Sequence, residues 1–316
     1  MEKSKTAVVA LGGNAITVPG QEDTIANQFA NTRKSLDGII ELARQGYRLV
    51  VTHGNGPQVG NALLRVELAR GKAPILPLGV LVADTEGGMG YMIEQSLQNR
   101  LRKEGIDRPV VTIITQMLVD ADDPAIANPT KYIGQFYTEE EAKTFQQTRG
   151  WQMKKDANRG WRRVVPSPIP KSVVPSATLK SLVREGVIVI AGGGGGIPIY
   201  LDEKNNYEGI DAVIDKDHAS AVIAREIGAG ILSILTSVEK VSLNFGQPNQ
   251  KDLDEVKLSE IKKYHQDGQF PPGSMGPKIK AAISFLESGG NMVTITSFDN
   301  AYRAVMGEAG TRIIPD

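Results

Sequence analysis

The chain has 316 residues, 41% of them hydrophobic and 23% charged, with 36 Lys plus Arg balancing 36 Asp plus Glu, and no cysteine. That length predicts one large domain with an insertion, or two domains, of an ordinary soluble globular protein. Zero net charge gives no electrostatic case for nucleic acid or an anionic membrane. The missing cysteines remove disulfides, thiolate metal sites and a cysteine nucleophile, and His53, His218 and His265 are too scattered for a histidine metal site.

Thr6 to Leu11 reads as a first buried strand running into Gly12-Gly13-Asn14. It follows Met1 to Lys5 directly, so no signal peptide is expected, and no apolar run nears the roughly 18 residues that span a bilayer. A cytoplasmic protein is the expectation. Thr24 to Gln45 carries Ile25, Phe29, Leu36, Ile39, Ile40 and Ala43 at roughly helical spacing, and Gly46 closes it. A second strand, Tyr47 to Thr52, opens into His53-Gly54-Asn55-Gly56-Pro57, with the proline placed to start a helix reaching about Arg70. Strands and helices alternating over short links predict a parallel sheet. Gly87 to Lys103 is expected as a helix and Pro109 to Thr115 as a further buried strand.

From Asp120 to about Pro175 the long apolar runs stop. Thr138-Glu139-Glu140-Glu141 reads as an acidic helix start, Trp161 to Val165 alternates, and both tryptophans, Trp151 and Trp161, fall here. The segment 120–172 reads as an inserted, protruding subdomain, a short helix plus a β-hairpin, with a flexible linker as the alternative. The α/β pattern then resumes with a helix over Ala177 to Glu185 and a strand of four β-branched residues, Val187 to Ile190. That strand exits into five glycines, Gly192 to Gly196. Helices over Asp217 to Glu226, Leu258 to Asp267 and Ser274 to Ser288 follow, with strands at Gly230 to Thr236, Met292 to Thr296 and Thr311 to Ile314.

Three buried strands that each exit into glycine predict a single sheet whose carboxyl ends converge on one crevice, where open α/β sheets bind ligands. Strand-to-helix glycine turns offer backbone N–H groups and a positive helix end to an anion; tight βα turns without a ligand are the alternative. No Walker A string occurs, and Gly54, Gly56 and Gly60 miss the dinucleotide fingerprint by one residue. Candidate cations lie in loops: Lys131, Lys216 and Lys278. Solvated surface is the alternative for each. Asp217 either orients a lysine or caps the next helix. Lys278, just after Pro277 at a helix start, opposes the helix dipole, which points to a role other than local stability.

Seven strings stand in one order: ALGGNAI (Ala10 to Ile16), HGNGPQVGN (His53 to Asn61), NPTKYIG (Asn128 to Gly134), NRGWRRVVPSP (Asn158 to Pro168), GGGGIP (Gly193 to Pro198), AVIDKDHAS (Ala212 to Ser220) and PGSMGPKI (Pro272 to Ile279). Together they resemble the carbamate kinases of the amino acid kinase superfamily, over nearly the whole chain. The resemblance implies a single α/β domain over 1–316, with an open, mainly parallel sheet between helices and a protruding subdomain at roughly 120–172, assembled as a homodimer. It also implies reversible phosphoryl transfer in which carbamoyl phosphate and MgADP give carbamate and MgATP, within arginine metabolism. On the matching strings, Gly12, Gly13, Asn14, Gly54, Asn55 and Gly56 would hold the transferring phosphoryl group. Lys131 and Lys216 would neutralise it, and Asp217 would orient the lysines. Thr236, Ser237, Met275 and Lys278 would meet the nucleotide, and Mg2+ would be held by the nucleotide rather than by a protein ligand. The chain departs from the family pattern at Tyr132, where proline is usual, at Asp84-Thr85-Glu86-Gly87, where Met-Thr-Gln-Gly is usual, and over Thr236 to Asn249. The chemistry agrees with the residues, because phosphoryl transfer relies on positioning and electrostatics and needs no protein nucleophile. Two rivals stand beside this reading. One is another acyl-phosphate-forming kinase that acts on a larger amino acid; the other is a non-catalytic nucleotide sensor, which the presence of all three lysines disfavours.

Overall fold

A computed structural model describes residues 5–18, 20–156 and 160–316. Eight strands form the central sheet in the order Glu255–Lys257, Thr311–Ile314, Met292–Ser297, Ile231–Thr236, Thr6–Leu11, Arg48–His53, Ile188–Ile190 and Val110–Thr112. Every neighbouring pair is parallel except Met292–Ser297 against Thr311–Ile314. The middle strands are buried on both faces, as their unbroken apolar runs require. Val8, Ala10, Val50, Leu232 and Ile234 pack with Ala219, Ile223, Ile279 and Phe285 of the helices Lys216–Ile227 and Met275–Glu287. Ala7, Val9, Leu11, Leu49 and Val51 face the opposite layer, built from Asp37–Arg44, Leu78–Lys103 and Ala301–Met306. The fold is the expected α/β sandwich with a mostly parallel sheet.

Several element boundaries differ from expectation. The helix expected over Thr24 to Gln45 is two, Ile25–Lys34 and Asp37–Arg44. Ser35 separates them, its hydroxyl donating to Thr32 O at 2.9 Å and so competing for carbonyls that a continuing helix would use. The helix expected to start at Gly87 begins at Leu78, on the far side of the Gly87-Gly88 pair. Pro109 to Thr115 is not one strand. Thr115 N donates to the Glu86 carboxylate at 2.8 Å, the chain turns, and Gln116–Leu118 joins a second sheet with Ser172–Val173, Ile197–Leu201 and Tyr207–Gly209.

The inserted segment holds more than a helix and a hairpin. Lys131–Tyr137, Trp161–Val165 and Met153–Lys155 form a three-stranded antiparallel sheet, in that order. The helix Glu139–Arg149 is started by a Thr138/Glu141 capping box and closed by Gly150 at φ 64°. Ile133, Tyr137, Trp151 and Val165 share an apolar cluster with Val59, Leu63, Leu78 and Leu81 of the body. Asn158, from the NRGW string, lies outside the described residues. Among those residues, no helix is long and apolar enough to cross a membrane.

Candidate active site

The strands Thr6–Leu11, Arg48–His53 and Ile188–Ile190 are neighbours, so their glycine exits meet at one sheet edge. Gly54 N donates to Leu11 O at 3.2 Å, which ties the second exit to the first. The third exit explains its own composition. Gly192, Gly194, Gly195 and Gly196 all have φ between 62° and 97°, a region side chains other than glycine rarely enter. Gly194 also has no room for a Cβ, which would lie 2.1 Å from Asn55 Nδ2.

Above this edge runs an alternating row of charge. Lys131 Nζ, from the inserted sheet, lies 2.6 Å from Asp215 Oδ2. Lys278 Nζ lies 3.0 Å from Asp217 Oδ2, and Lys216 pairs with the other oxygen of that carboxylate. Asp215, not Asp217, caps the helix Lys216–Ile227: its side chain accepts from Asp217 N at 3.0 Å. Asp217 is thereby free to hold two lysines. The helix start is fastened to the sheet by Ser220, whose hydroxyl donates to Lys216 O at 2.6 Å and meets Thr52 Oγ1 at 2.7 Å.

Burial sets the electrostatics. Lys216 is only 8% exposed, so the solvated-surface alternative does not hold for it. Desolvation, helped by Lys278, lowers its ammonium below the usual lysine value against the pull of Asp217. For Asp217, burial pushes the pKa up, but Lys216 and Lys278 together outweigh it and keep the carboxyl below its ordinary range. Burial opposes ionisation of Asp215 too, and the charge and hydrogen bond of Lys131 overcome it, with His218 and Lys216 adding. His53 is fully buried, and that burial lowers its pKa to about 4, so the ring is neutral at physiological pH.

A cavity of about 310 Å³ opens beside the row. Gly12, Gly13, Lys216, Thr236, Ser237, Met275 and Lys278 line it, together with Lys240, Phe245, Phe270 and Phe298. Gly54, Asn55, Gly56 and Lys131 lie outside that lining. Gly54 adjoins Lys216, Lys131 reaches the row through Asp215, and Gly56 opens the helix Gly56–Leu68. Asn55 is buried and donates to Thr85 Oγ1 at 3.0 Å, with no cap bond of its own. Asn14 sits in the short 3-10 turn Gly13–Ala15; its side chain lies outside the described residues. Among the described residues, no cluster of three or more His, Asp or Glu side chains could hold a metal.

Sequence reasoning passed over Asp215, His53, Thr85 and Glu86 as site residues. Asp215 carried a signal, since an Asp immediately before a helix is a capping residue. Glu86 stood out only as a departure from the family pattern, an acidic side chain near the substrate crevice, with nothing to give it a role.

The amino acid kinase family model matches residues 5–297. A carbamate kinase of Pyrococcus furiosus is 47% identical over 313 residues, covering 98% of this chain and 99% of its own. Carbamate kinase of Giardia lamblia bound to citric acid superposes with a TM-score of 0.93 at 42% identity, over 100% of both chains. The same enzyme bound to AMP-PNP gives a TM-score of 0.92 at 42% identity, again over 100% of both. The chain belongs to the amino acid kinase family, and full-length relatives such as the Pyrococcus furiosus protein are carbamate kinases.

Proposed function

We propose that this chain acts as a carbamate kinase, moving a phosphoryl group reversibly between carbamoyl phosphate and ADP to give carbamate and ATP. The observation that carries the reading is the ion-paired row Lys131, Asp215, Lys216, Asp217 and Lys278, buried at Lys216 and Asp217, set where glycine turns open and beside a cavity of nucleotide size. The full-length likeness to carbamate kinases supports the acceptor, and the AMP-PNP complex of the Giardia enzyme supports the nucleotide.

In the ATP-forming direction a terminal ADP oxygen attacks phosphorus as the bond from phosphorus to the carbamate oxygen breaks. The attacking oxygen is already anionic and the bridging oxygen leaves as the carbamate anion, so neither a general base nor a general acid is required. What the reaction needs is fixed positive charge on the equatorial oxygens and exclusion of water. Lys216, buried and shared between the turn at Gly54 and the cavity, is the contact to the moving group. Lys131 serves the carbamoyl phosphate side, and Lys278 serves the nucleotide phosphates. Asp217 spaces Lys216 from Lys278 and screens their mutual repulsion. Gly12, Gly13, Asn14, Gly54, Asn55 and Gly56 offer backbone and amide donors. Thr236, Ser237 and Met275 border the nucleotide, with Phe245, Phe270 and Phe298 available to its base. Both aspartates of the row are engaged by lysines, so Mg2+ would enter on the phosphate oxygens of ADP or ATP, where it adds positive charge.

A cytoplasmic homodimer serving arginine metabolism completes the reading. Val80 and Tyr91 are exposed eleven positions apart on one face of the helix Leu78–Lys103, which supports a face for a second copy; light scattering should return twice the chain mass. A coupled assay for ATP formation from ADP tests the function. Turnover with carbamoyl phosphate well above that with acetyl phosphate is expected, and a preference for acetyl phosphate would overturn the assignment.

A further inference from the structure

Beneath the crevice lies a carboxyl group that the transfer chemistry does not use. Glu86 is 2% exposed in the middle of the helix Leu78–Lys103. Its Oε2 accepts from Thr115 N at 2.8 Å, while Oε1 is buried without any partner. Among the described residues no lysine or arginine pairs with it.

Its surroundings all belong to the glycine exits. Thr115 Oγ1 accepts from Gly192 N at 2.9 Å, so the backbone that Glu86 grips holds the entry to the five-glycine loop. Gly193 packs directly on the pair His53 and Glu86: a Cβ there would lie 2.3 Å from His53 Nε2 and 3.2 Å from Glu86 Cγ. The preceding residue, Thr85, takes the Asn55 side-chain hydrogen bond.

We propose that Glu86 is a positioning residue that works as a neutral carboxylic acid, fixing the Gly192–Gly196 loop against His53 and Asn55 through the hydrogen bond it accepts from Thr115 N. An ionised carboxylate here would be buried with one oxygen unmet and no cation, a state proteins avoid by keeping the proton. It would also set negative charge beside the glycine turns at residues 12–14 and 54–56 that are to receive a phosphoryl anion. A neutral acid removes that repulsion. Desolvation raises the carboxyl well above its ordinary range, and the Thr115 hydrogen bond only partly opposes it. His53, the ionisable side chain packed against it from the strand Arg48–His53, is neutral over the same range. Thr85, Thr115 and the glycine loop bring no charge.

The proposal rests on the transfer reading of the crevice, and its test has one arm that needs no activity. Kinetics of ATP formation are followed from about pH 6 to about pH 9 for the parent, Glu86→Gln and Glu86→Leu, with thermal midpoints of the ligand-free proteins over the same range. Leucine, which cannot meet Thr115 N, is expected to lower kcat about tenfold or more. Glutamine, uncharged and able to accept from Thr115 N, is expected to bring it back to within a few-fold. The parent should lose kcat toward alkaline pH as Glu86 ionises, and the glutamine variant should not. A raised folded-state pKa means that the parent loses stability as pH rises above the unfolded carboxyl value. The midpoint of Glu86→Gln should therefore gain on the parent by about 2 °C or more across the range. An alkaline limb unchanged in Glu86→Gln, or a midpoint gap that does not move with pH, overturns the proposal. Should none of the proteins form ATP, the transfer reading fails and the midpoint gap still decides for Glu86.

Discussion

Lys216 is the side chain on which most of the proposed transfer depends, because its position costs stability while its charge is the one assigned to the moving group. A buried ammonium at a helix start faces both desolvation and the positive end of the helix dipole. Asp217 offsets part of that, and so does its neighbour's role as cap. Replacing Lys216 by alanine should lower kcat by about 10²–10³, the scale seen when one preorganised donor to a developing anion is removed. KM should change less, since the contact strengthens in the transition state. Arginine should not restore the rate, because a planar fork does not occupy the place of a compact ammonium. Steady-state kinetics decide; a kcat within a few-fold of the parent in Lys216→Ala removes this lysine from the mechanism. Asp217→Asn leaves Lys216 and Lys278 facing each other without a counter-charge, and is expected to raise KM for the nucleotide about tenfold as the lysines separate. The lysines and glycines of this site were legible because they sit in loops, where a charged or conformationally special residue has little structural reason to be. Asp215 and Asp217 were legible as a pair but not in their division of labour, since both precede the same helix and only coordinates separate capping from ion pairing. Glu86 was legible as a departure from the family pattern but not in its role, because a sequence does not say which face of a long helix is dry.

The inserted sheet acts on the site as an element, by carrying Lys131 to Asp215. Its seat on the body is the approach of Gly134 to Gly60 of the helix Gly56–Leu68, where a Cβ on Gly60 would stand 1.9 Å from Gly134 Cα. Gly60 stands in sequence as the last glycine of a missed dinucleotide fingerprint within HGNGPQVGN; its work is packing. Gly60→Ala favours the helix by its propensity, by about 1 kcal/mol, yet it forces the two backbones apart by more than an ångström. A displacement of that size moves Lys131 off Asp215, and misplacement on this scale costs about 10²-fold in rate. The expected result is a fall in kcat/KM for carbamoyl phosphate of that order, with a thermal midpoint close to the parent. Unchanged kinetics would mean that the inserted sheet does not set Lys131. Removing the segment altogether is a different experiment. It would bare Val59, Leu63, Leu78, Leu81 and Val82, now covered by Ile133, Tyr137, Trp151 and Val165, and leave an exposed apolar patch. The helix and hairpin of this insertion were legible from the capping box and the alternation around Trp161. Its first strand, Lys131–Tyr137, was not, because its outward positions are lysine, tyrosine, glutamine and phenylalanine with no clean period.

At the scale of the whole molecule, the sheet order brings the glycine exits to one edge and buries a histidine there, where the inserted sheet and two helices deliver the charged groups, so acid stability and site chemistry share one region. The topology was legible from strand–helix alternation and glycine exits, while the short strands at Glu255–Lys257 and Val241–Leu243 were not, being too brief to show a pattern. The consequence for pH has a definite sign. His53 falls from an ordinary value of 6.5 to about 4 in the folded chain because burial disfavours its charged form. Between those values the unfolded chain binds a proton that the folded chain refuses, so stability is full above about pH 6.5 and declines toward pH 4, by about 3 kcal/mol for this group. His218, lowered first by its own burial, adds a decline of the same sign. Asp215 and Asp217, held below the usual carboxylate range once their lysines outweigh burial, lose their contribution only at still lower pH. In denaturant titrations at a series of pH values the His53 contribution should thus be lost from near pH 6.5 downward, opposed over the same window by Glu86, whose raised pKa adds stability as pH falls. His53→Gln, which keeps a polar group in the place of the ring but has no charge to gain, should flatten that upper part of the curve while leaving the decline due to His218 and the aspartates. A variant that loses stability over pH 6.5 to 4 as steeply as the parent would show that His53 is already protonated in the folded chain, and with it that the floor of the crevice carries a positive charge that the geometry does not give it.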